Sequence, residues 1–284
     1  MTLLSLAVAA LSIISFGVWW STANVSALLL GVAGLLCAGA TFKSARISTF
    51  LKIFIVIFAS EVVVFGGLFL LSVVGLWPES LKAYKLPDSV ALTVAMFGIL
   101  VWAMSHLKVV RSITAIADRY FESENMTQAR IWPFASFQVR ESRLAIAAVI
   151  FLVVVNQAQV GINVRLSFFN RDWFNAIQNK DQAAFWSLLY TVFLFWVAIY
   201  IVSAIIEFIA QSILMIRWRR WLTEHYVGRW LNGSTHYRMG LKGLNADNPD
   251  QRIAEDVNRF IDGGQVGYGI YSYSILLIST LSSL

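Results

Sequence analysis

Apolar segments of membrane-spanning length limit what this 284-residue chain can fold into more than any other feature. A helix that crosses the hydrocarbon core of a bilayer needs about 17–25 mostly apolar residues. The pattern predicts a polytopic all-α bundle, because a spanning segment must satisfy its own backbone groups. A seventh span begins near Val266, after six complete ones at Leu3–Trp20, Val25–Thr41, Ile53–Trp77, Val90–Leu107, Leu144–Val164 and Trp186–Ile206.

Composition excludes a soluble globular protein, because 58% of the residues are hydrophobic and only 13% are charged. A soluble domain carries about 25% charged residues. The first span lacks a basic segment before it and is longer than the core of a signal peptide, so we interpret it as a retained helix. The last span is still apolar at Leu284, and we therefore expect the chain to be the front part of a longer polypeptide.

Lys and Arg are distributed unequally over alternate loops, with seventeen on one side and five on the other. The positive-inside rule then predicts an inner (plasma) membrane protein with its N-terminus and the segment Arg217–Phe260 in the cytoplasm. The net charge of +6 follows mostly from this orientation. Nucleic acid is not an expected partner, because Asp and Glu side chains are interleaved with the cations of that segment.

The spans fall into two groups. We predict a four-helix membrane extension over residues 1–112, a cytoplasmic linker with an interfacial elbow helix over 113–142, and a three-helix region over 143–284. The linker itself is placed at Glu122–Gln128. The following aromatic and arginine residues predict either an amphipathic helix at the headgroup level or a solvated loop.

The sixth span is predicted not to end at the membrane, since neither Pro nor Gly occurs between Trp186 and Tyr226. A continuous helix from Trp186 to about Leu231 would be about 70 Å long, roughly twice the hydrocarbon thickness. It would therefore project well beyond the bilayer.

Signatures of catalysis are missing from the sequence. There is no phosphate-binding GxxxxGK[ST] loop, no G-x-S-x-G turn, and no metal-ligand spacing among the three histidines. The single cysteine, Cys37, excludes an intramolecular disulfide. We therefore assign no catalytic residue, no metal and no cofactor to the chain itself.

Two carboxylates lie in or beside spans, and polar side chains are dense after the fifth span. Glu61 and Glu207 are candidates for function, because an acid in a membrane is costly unless it is paired, protonated or hydrated. Asn163–Gln178 mixes aromatics with amides and a candidate Arg–Asp pair, and it is either the lining of a substrate vestibule or an aromatic belt with a capped turn. The candidate pathway residues are Glu207, Asn170, Arg171, Asp172, Trp173 and Gln178.

A second helix start lies far along the Arg217–Phe260 segment. Asn248 or Asp247 can serve as the N-cap, Pro249 suits the first helical position, and Asp250 suits the positive end of the helix dipole. A short helix at the tip of an extension can transmit force from a partner, although it can also be a plain helix hairpin.

Three stretches, NVRLSFFNRDWFNAIQNKD, RWRRWLTEHYVGRWLNGSTHYRM and NPDQRIAEDVNRF, resemble the SbmA/BacA-like transporters. They are most similar to the branch fused to an ABC ATPase, which also resembles the peroxisomal fatty-acyl ABC transporters. The resemblance covers about Ile131–Leu284. It implies an exporter-type (type IV) ABC transmembrane domain whose first coupling helix contains Asn248, Pro249, Asp250, Gln251, Arg252 and Asp256.

The resemblance also implies a homodimer in membrane lipid and an ATPase domain, fused or separate, that binds ATP and Mg. The substrates of the family are small peptides, peptide antibiotics, corrinoids or other amphipathic compounds. Its proton-driven members have no ATPase and rely on membrane glutamates, for which Glu207 is the nearest candidate. The first four spans lie outside the resemblance, and a membrane scaffold or sensor remains the alternative from another class.

Overall fold

The computed structural model describes residues 2–78, 87–131, 135–241, 248–263 and 269–270. It divides into two compact units, Met1–Ile146 and Ala147–Leu284. The first unit contains α1 Thr2–Thr22, α2 Val25–Lys43, α3 Thr49–Val73, α4 Val90–Met104, α5 Lys108–Phe121, and the strands β1 Met126–Ile131 and β2 Ala135–Arg140. Next come α6 Glu141–Gln178, α7 Gln182–Leu188, α8 Leu194–Leu231, α9 Thr235–Leu241 and α10 Pro249–Asp262.

Helices α1 to α4 pack on one another through small side chains. The Ser15 hydroxyl donates to the Ala27 carbonyl across the α1–α2 hairpin at 2.7 Å. A Cβ at Gly34 would collide with the Ser12 hydroxyl, so glycine is required where these helices approach each other. Close backbone approach at small residues is the usual way in which membrane helices gain packing energy.

Aromatic side chains fill the remaining space in this bundle. Phe50 and Phe58 are each 1% exposed, and the Phe58 ring lies 5.6 Å from that of Phe97 on α4. Further buried residues of α3 and α4 include Ile55, Val62, Ala91 and Ala95. The four helices therefore have a well-packed core of their own.

Helix α5 turns through 92° from α4 and runs across the end of the bundle. Its Asp118 carboxylate accepts hydrogen bonds from the Ser48 hydroxyl at 2.8 Å and the Phe50 N–H at 2.9 Å. Glu122 accepts from the Thr49 hydroxyl at 2.7 Å. Two acids of α5 thus satisfy donors at the start of α3, where helix N–H groups have no partner within the helix.

Of the two alternatives for the residues after the Glu122–Gln128 linker, an amphipathic helix or a solvated loop, the helix is wrong, because an antiparallel hairpin of β1 and β2 lies here. In its register Met126 faces Arg140 and Ile131 faces Ala135. A helix through this segment would contain Pro133, which removes a hydrogen bond and costs about 3 kcal/mol in a helix interior. The amphipathic helix exists instead as α5, one element earlier, and the second half of the predicted Glu122–Gln128 linker belongs to β1. The three-part domain division stays a prediction.

Helix α6 is longer than the span predicted at Leu144–Val164. It covers 38 residues, about 57 Å, and continues to Gln178. The helix continues past the predicted span, because no Gly or Pro occurs between Gly161 and Gln178 to stop it. The polar stretch that begins at Asn163 is therefore the last part of α6.

The long sixth helix is confirmed. Helices α7 and α8 join through a π-helical turn at Leu189–Phe193, and the combined apolar helix runs from Gln182 to Ser234. Five described helices are long and apolar enough to cross a membrane, or six if α4 and α5 count together. The predicted seventh span near Val266 lies outside the described residues.

Candidate functional site

A hydrogen bond between two spans involves the carboxylate predicted to be functional. The Gln159 side-chain amide on α6 donates to Oε2 of Glu207 on α8 at 2.8 Å. Gln159 is 8% exposed, and Glu207 is partly buried. An acid at this depth is expected to have a partner, and the amide supplies one without neutralising its charge.

Polar side chains continue along α6 on the same side as Gln159. Asn156 and Asn163 lie three residues before and four after it, which places all three on one helix face. Asn156 is 9% exposed, and within the described residues its side-chain oxygen has no hydrogen-bond partner. This buried acceptor lies one helical turn from Gln159, which binds the Glu207 carboxylate, and it suits a ligand that donates hydrogen bonds.

Toward its C-terminal end, α6 forms an aromatic cluster with α7 and the π turn. The Trp173 ring lies 5.9 Å from Phe169 and 5.1 Å from Phe185, and Phe169 lies 5.2 Å from Phe193. The indole N–H of Trp173 is buried without a partner among the described residues. The cluster therefore combines an apolar surface with one free donor.

The other candidates of this stretch lie at the surface. Asn170, Arg171 and Gln178 are exposed, and Arg171 pairs with Asp172 at 3.0 Å. An ion pair this exposed contributes little to stability. The pair predicted between these two residues is present in the structure.

The structure does not bring Glu207 together with the stretch from Asn170 to Gln178. Its partner Gln159 lies about 16 Å along α6 from Asn170 and about 28 Å from Gln178. The predicted pathway residues thus form two separate groups, one at the Gln159–Glu207 bond and one at the aromatic end of α6.

Helix α10 begins where the sequence predicts it. Pro249 is its first residue, Asp250 lies in its first turn, and Asn248 occupies the N-cap position. Asn248, one of the two predicted N-cap residues, has φ +46° and makes no side-chain capping bond, and Asp247 lies outside the described residues. A left-handed conformation is one that Asn adopts more easily than most residues.

A buried face of α10 packs against α8. Val257 and Ile261 are buried, and the Phe260 ring meets Trp218 edge-on at 6.0 Å. Trp218 is fully buried, and Leu222 lies one turn further along the same face of α8. Because Ile253 lies beside Tyr226 and Trp230 while Phe260 meets Trp218, α10 runs antiparallel to α8.

The predicted coupling residues lie at the start of α10 and along its exposed side. Gln251 donates to Glu255 at 2.7 Å, an i,i+4 bond that leaves both side chains at the surface. Pro249 is half-buried, whereas the others are exposed: Asn248, Asp250, Gln251, Arg252 and Asp256.

Beside this start lies a cavity of about 610 Å³ between α8, α9 and α10. Arg229 and Arg238 line it together with the aromatic rings of Tyr226 and Trp230. No cluster of three His, Cys, Asp or Glu side chains suited to a metal occurs in the part of the chain that the structure describes.

Sequence reasoning missed Gln159 and Asn156. Three amides, Asn156, Gln157 and Gln159, interrupt an otherwise apolar run, and this signal points to polar groups that need partners inside a membrane. The spacing of Trp218 and Leu222 indicates a buried face on α8. It does not indicate which residues of α10 pack against that face.

Comparison with known proteins gives one family. The ABC transporter transmembrane region 2 profile matches residues 132–282. The inner membrane ABC transporter ATP-binding protein YddA of Escherichia coli (strain K12) is 32% identical over 146 residues, 50% of this chain and 26% of that protein. No solved structure matches the chain.

Two eukaryotic relatives also match. ABC transporter D family member 2, chloroplastic, of Arabidopsis thaliana is 33% identical over 145 residues, 51% of this chain and 18% of that protein. The lysosomal cobalamin transporter ABCD4 of Homo sapiens is 31% identical over 88 residues, 31% of this chain and 14% of that protein. The alignments thus span about a quarter or less of these relatives. The profile matches more than half of the residues of this chain. This all-α, multi-pass membrane chain therefore belongs to the ABC transporter transmembrane region 2 family.

Proposed function

We propose that this chain is the permease part of an ATP-driven ABC transporter, working as a homodimer in the inner membrane with its N-terminus in the cytoplasm. The family match and the ATP-binding relatives support an ATPase domain, fused or separate, that binds ATP and Mg. The substrate class is a small peptide, a corrinoid or another amphipathic compound. The cobalamin transporter among the relatives and the resemblance to SbmA/BacA-like proteins support this class.

The observation that carries the proposal is the connection between α10 and the membrane through α8. The exposed face of α10 offers Asp250, Gln251 and Arg252 to an ATPase domain, while its buried face packs on Trp218. Helix α8 then continues without a Pro or Gly break from Trp218 back to Glu207, about 16 Å away. Movement of α10 would thus reach the polar group formed by Glu207, Gln159 and Asn156.

The chemistry of that polar group favours substrates with hydrogen-bond donors. Glu207 and Asn156 present acceptor oxygens, and Gln159 holds one of the carboxylate oxygens. Ammonium and amide N–H groups of a peptide match such acceptors. Phe169 and Trp173 at the far end of α6 suit apolar parts of the same molecule.

The test uses the full-length gene product in proteoliposomes, with ATP hydrolysis and uptake of a labelled cationic peptide measured together. Asp250→Ala/Arg252→Ala is expected to uncouple hydrolysis from uptake by at least tenfold. Arg259→Ala is the matched control, because this exposed arginine lies on the same helix outside the coupling set. Equal loss in the control, or no loss in the double variant, contradicts the proposal.

A proton-driven transporter is the second candidate, favoured by the carboxylate placed between two spans. In the ATP-driven case, Glu207→Gln keeps an amide partner for Gln159 and weakens uptake only partly. Complete loss of uptake with normal ATP hydrolysis, or uptake driven by a pH gradient without ATP, would assign the energy source to protons. A scaffold or sensor would show no uptake dependent on Asp250 or Arg252.

A further inference from the structure

Helix α5 has three distinct faces around its axis. One face packs on the end of the N-terminal bundle through Thr114, Ala117 and Phe121, which are all buried. At about 100° per residue, Val109 and Ile113 lie beside this face, on either side of the fully buried Tyr120. They are 70% and 42% exposed.

The third face of α5 carries the cations. Lys108, Arg111 and Arg119 fall within about 80° of one another on the helical wheel and are exposed. Asp118 and, just past the helix end, Glu122 fall within about 20° of Arg111 on the wheel, but they lie at the far end of the helix and are bonded to the start of α3. The exposed surface of the first two turns of α5 therefore presents an apolar strip and a cationic strip.

The position of α5 sets these strips at the boundary of the membrane. The helix lies at 92° to α4 and is bonded to the first residues of the span α3, so it crosses the bundle at the level where the spans end. The same end carries further cations. The Lys43 ammonium lies 5.8 Å from the Trp102 ring, and Arg46 and Lys52 flank the turn between α2 and α3.

From these contacts we infer that α5 and the adjoining turn form a binding site for anionic phospholipid. The cationic strip binds headgroup phosphates, while Val109 and Ile113 enter the upper part of the acyl chains. The inference depends on the membrane placement of the chain and is independent of the transported substrate.

A lipid explains both strips, whereas an acidic segment of a protein explains only one. Such a segment would pair with Lys108 and Arg111 and leave Val109 in water. An apolar peptide would cover Val109 but would leave the neighbouring cations unused. A phospholipid carries a phosphate and an acyl chain at the spacing that an interfacial helix presents.

The test measures hydrogen exchange of residues 108–121 in the full chain, in nanodiscs of phosphatidylcholine with or without one third phosphatidylglycerol. Phosphatidylglycerol is expected to slow exchange in α5 at least threefold. In Lys108→Gln/Arg111→Gln this extra protection is lost, and fluorescent phosphatidylglycerol binds roughly tenfold more weakly. Both side chains are exposed, so the fold is expected to survive the changes.

Two controls separate the alternatives. Arg229→Gln/Arg238→Gln removes the same charge from the second unit and should retain the phosphatidylglycerol effect. Soluble glycerol phosphate should give no protection, because it lacks the acyl chains that contact Val109. Protection by glycerol phosphate, equal protection in both nanodiscs, or loss of the effect in the control variant would overturn the inference.

Discussion

The N-terminal bundle and the long helices of the second unit bury very different shares of their membrane-spanning surface. About half of the residues in the spanning windows of α2 and α3 are buried, 50% and 56%, whereas none of those of α8 is. Helices α1 and α6 are both intermediate at 33%. Helices α2 and α3 thus bury much of their surface within the bundle, while α8 leaves its apolar surface for lipid or for further helices. The proposed function gives a reason for this difference, because surfaces that form a pathway have to separate again.

The largest expected effect is a difference in the unfolding free energy lost when one phenylalanine in each unit is replaced by alanine. Phe58→Ala should cost about 4 kcal/mol of unfolding free energy, because a buried ring leaves a cavity. Phe208 on α8 is 71% exposed, and its replacement by Ala should cost less than about 0.5 kcal/mol in the isolated chain. Denaturant unfolding in detergent measures both. Equal losses of unfolding free energy in the two variants would show that Phe208 packs against protein through contacts beyond those of the described residues.

The second expected effect concerns the one place where α8 is well buried. Trp218→Ala should destabilise the docking of α10 by about 3 kcal/mol, because the ring packs edge-on against Phe260. Hydrogen exchange of residues 249–262 should rise by two orders of magnitude. Trp221 stacks on His225 of the same helix and serves as the control. Similar exchange in both variants would place the main support of α10 elsewhere.

A smaller effect is expected at the polar contact between α6 and α8. Gln159→Leu should cost about 1–2 kcal/mol, because Glu207 loses its hydrogen-bond donor. Asn163→Leu, an exposed change one turn along the same helix, should cost little. In the Gln159→Leu background, Glu207→Leu should recover most of the loss. If the two single changes simply add, the side chains act independently and the contact has no energetic role.

The smallest expected effect tests the α5 contact in the first unit. Asp118→Ala removes an acceptor from the start of α3 and should cost about 1 kcal/mol. Asp118→Asn keeps a side-chain oxygen in the same place and should lie within a few tenths of the parent. Thermal unfolding in detergent separates the two. A large cost in the Asn variant would mean that the negative charge, rather than the hydrogen bond, holds α5 in place.

The sequence was sufficient for five of the six complete spans and for the long α8, because apolar length and the lack of Pro or Gly act locally. The fourth predicted span is not confirmed by itself, since α4 ends at Met104 and α5 turns through 92° from it. The sequence was also sufficient for the start of α10, where Pro249 fixes the first turn. It was not sufficient for the partner of Glu207, since Gln159 lies 48 positions away and contacts between helices depend on packing. The hairpin of β1 and β2 was missed because its aromatic and arginine residues also suit an interfacial helix. The alternation of apolar and polar residues in Ala135–Arg140 is the signal for a strand.

The uninterrupted length of α8 has a mechanical consequence. A helix that bends only gently behaves as a stiff rod over the roughly 35 Å between Glu207 and Trp230. A tilt of about 5° at one end would displace the other by about 3 Å over that length. In the proposed coupling, an exchange of the hydrogen-bond partner at Glu207 and a shift of α10 by one side-chain width would be the same motion at the two ends of α8. Inserting a glycine pair midway along the rod should let either end move without the other.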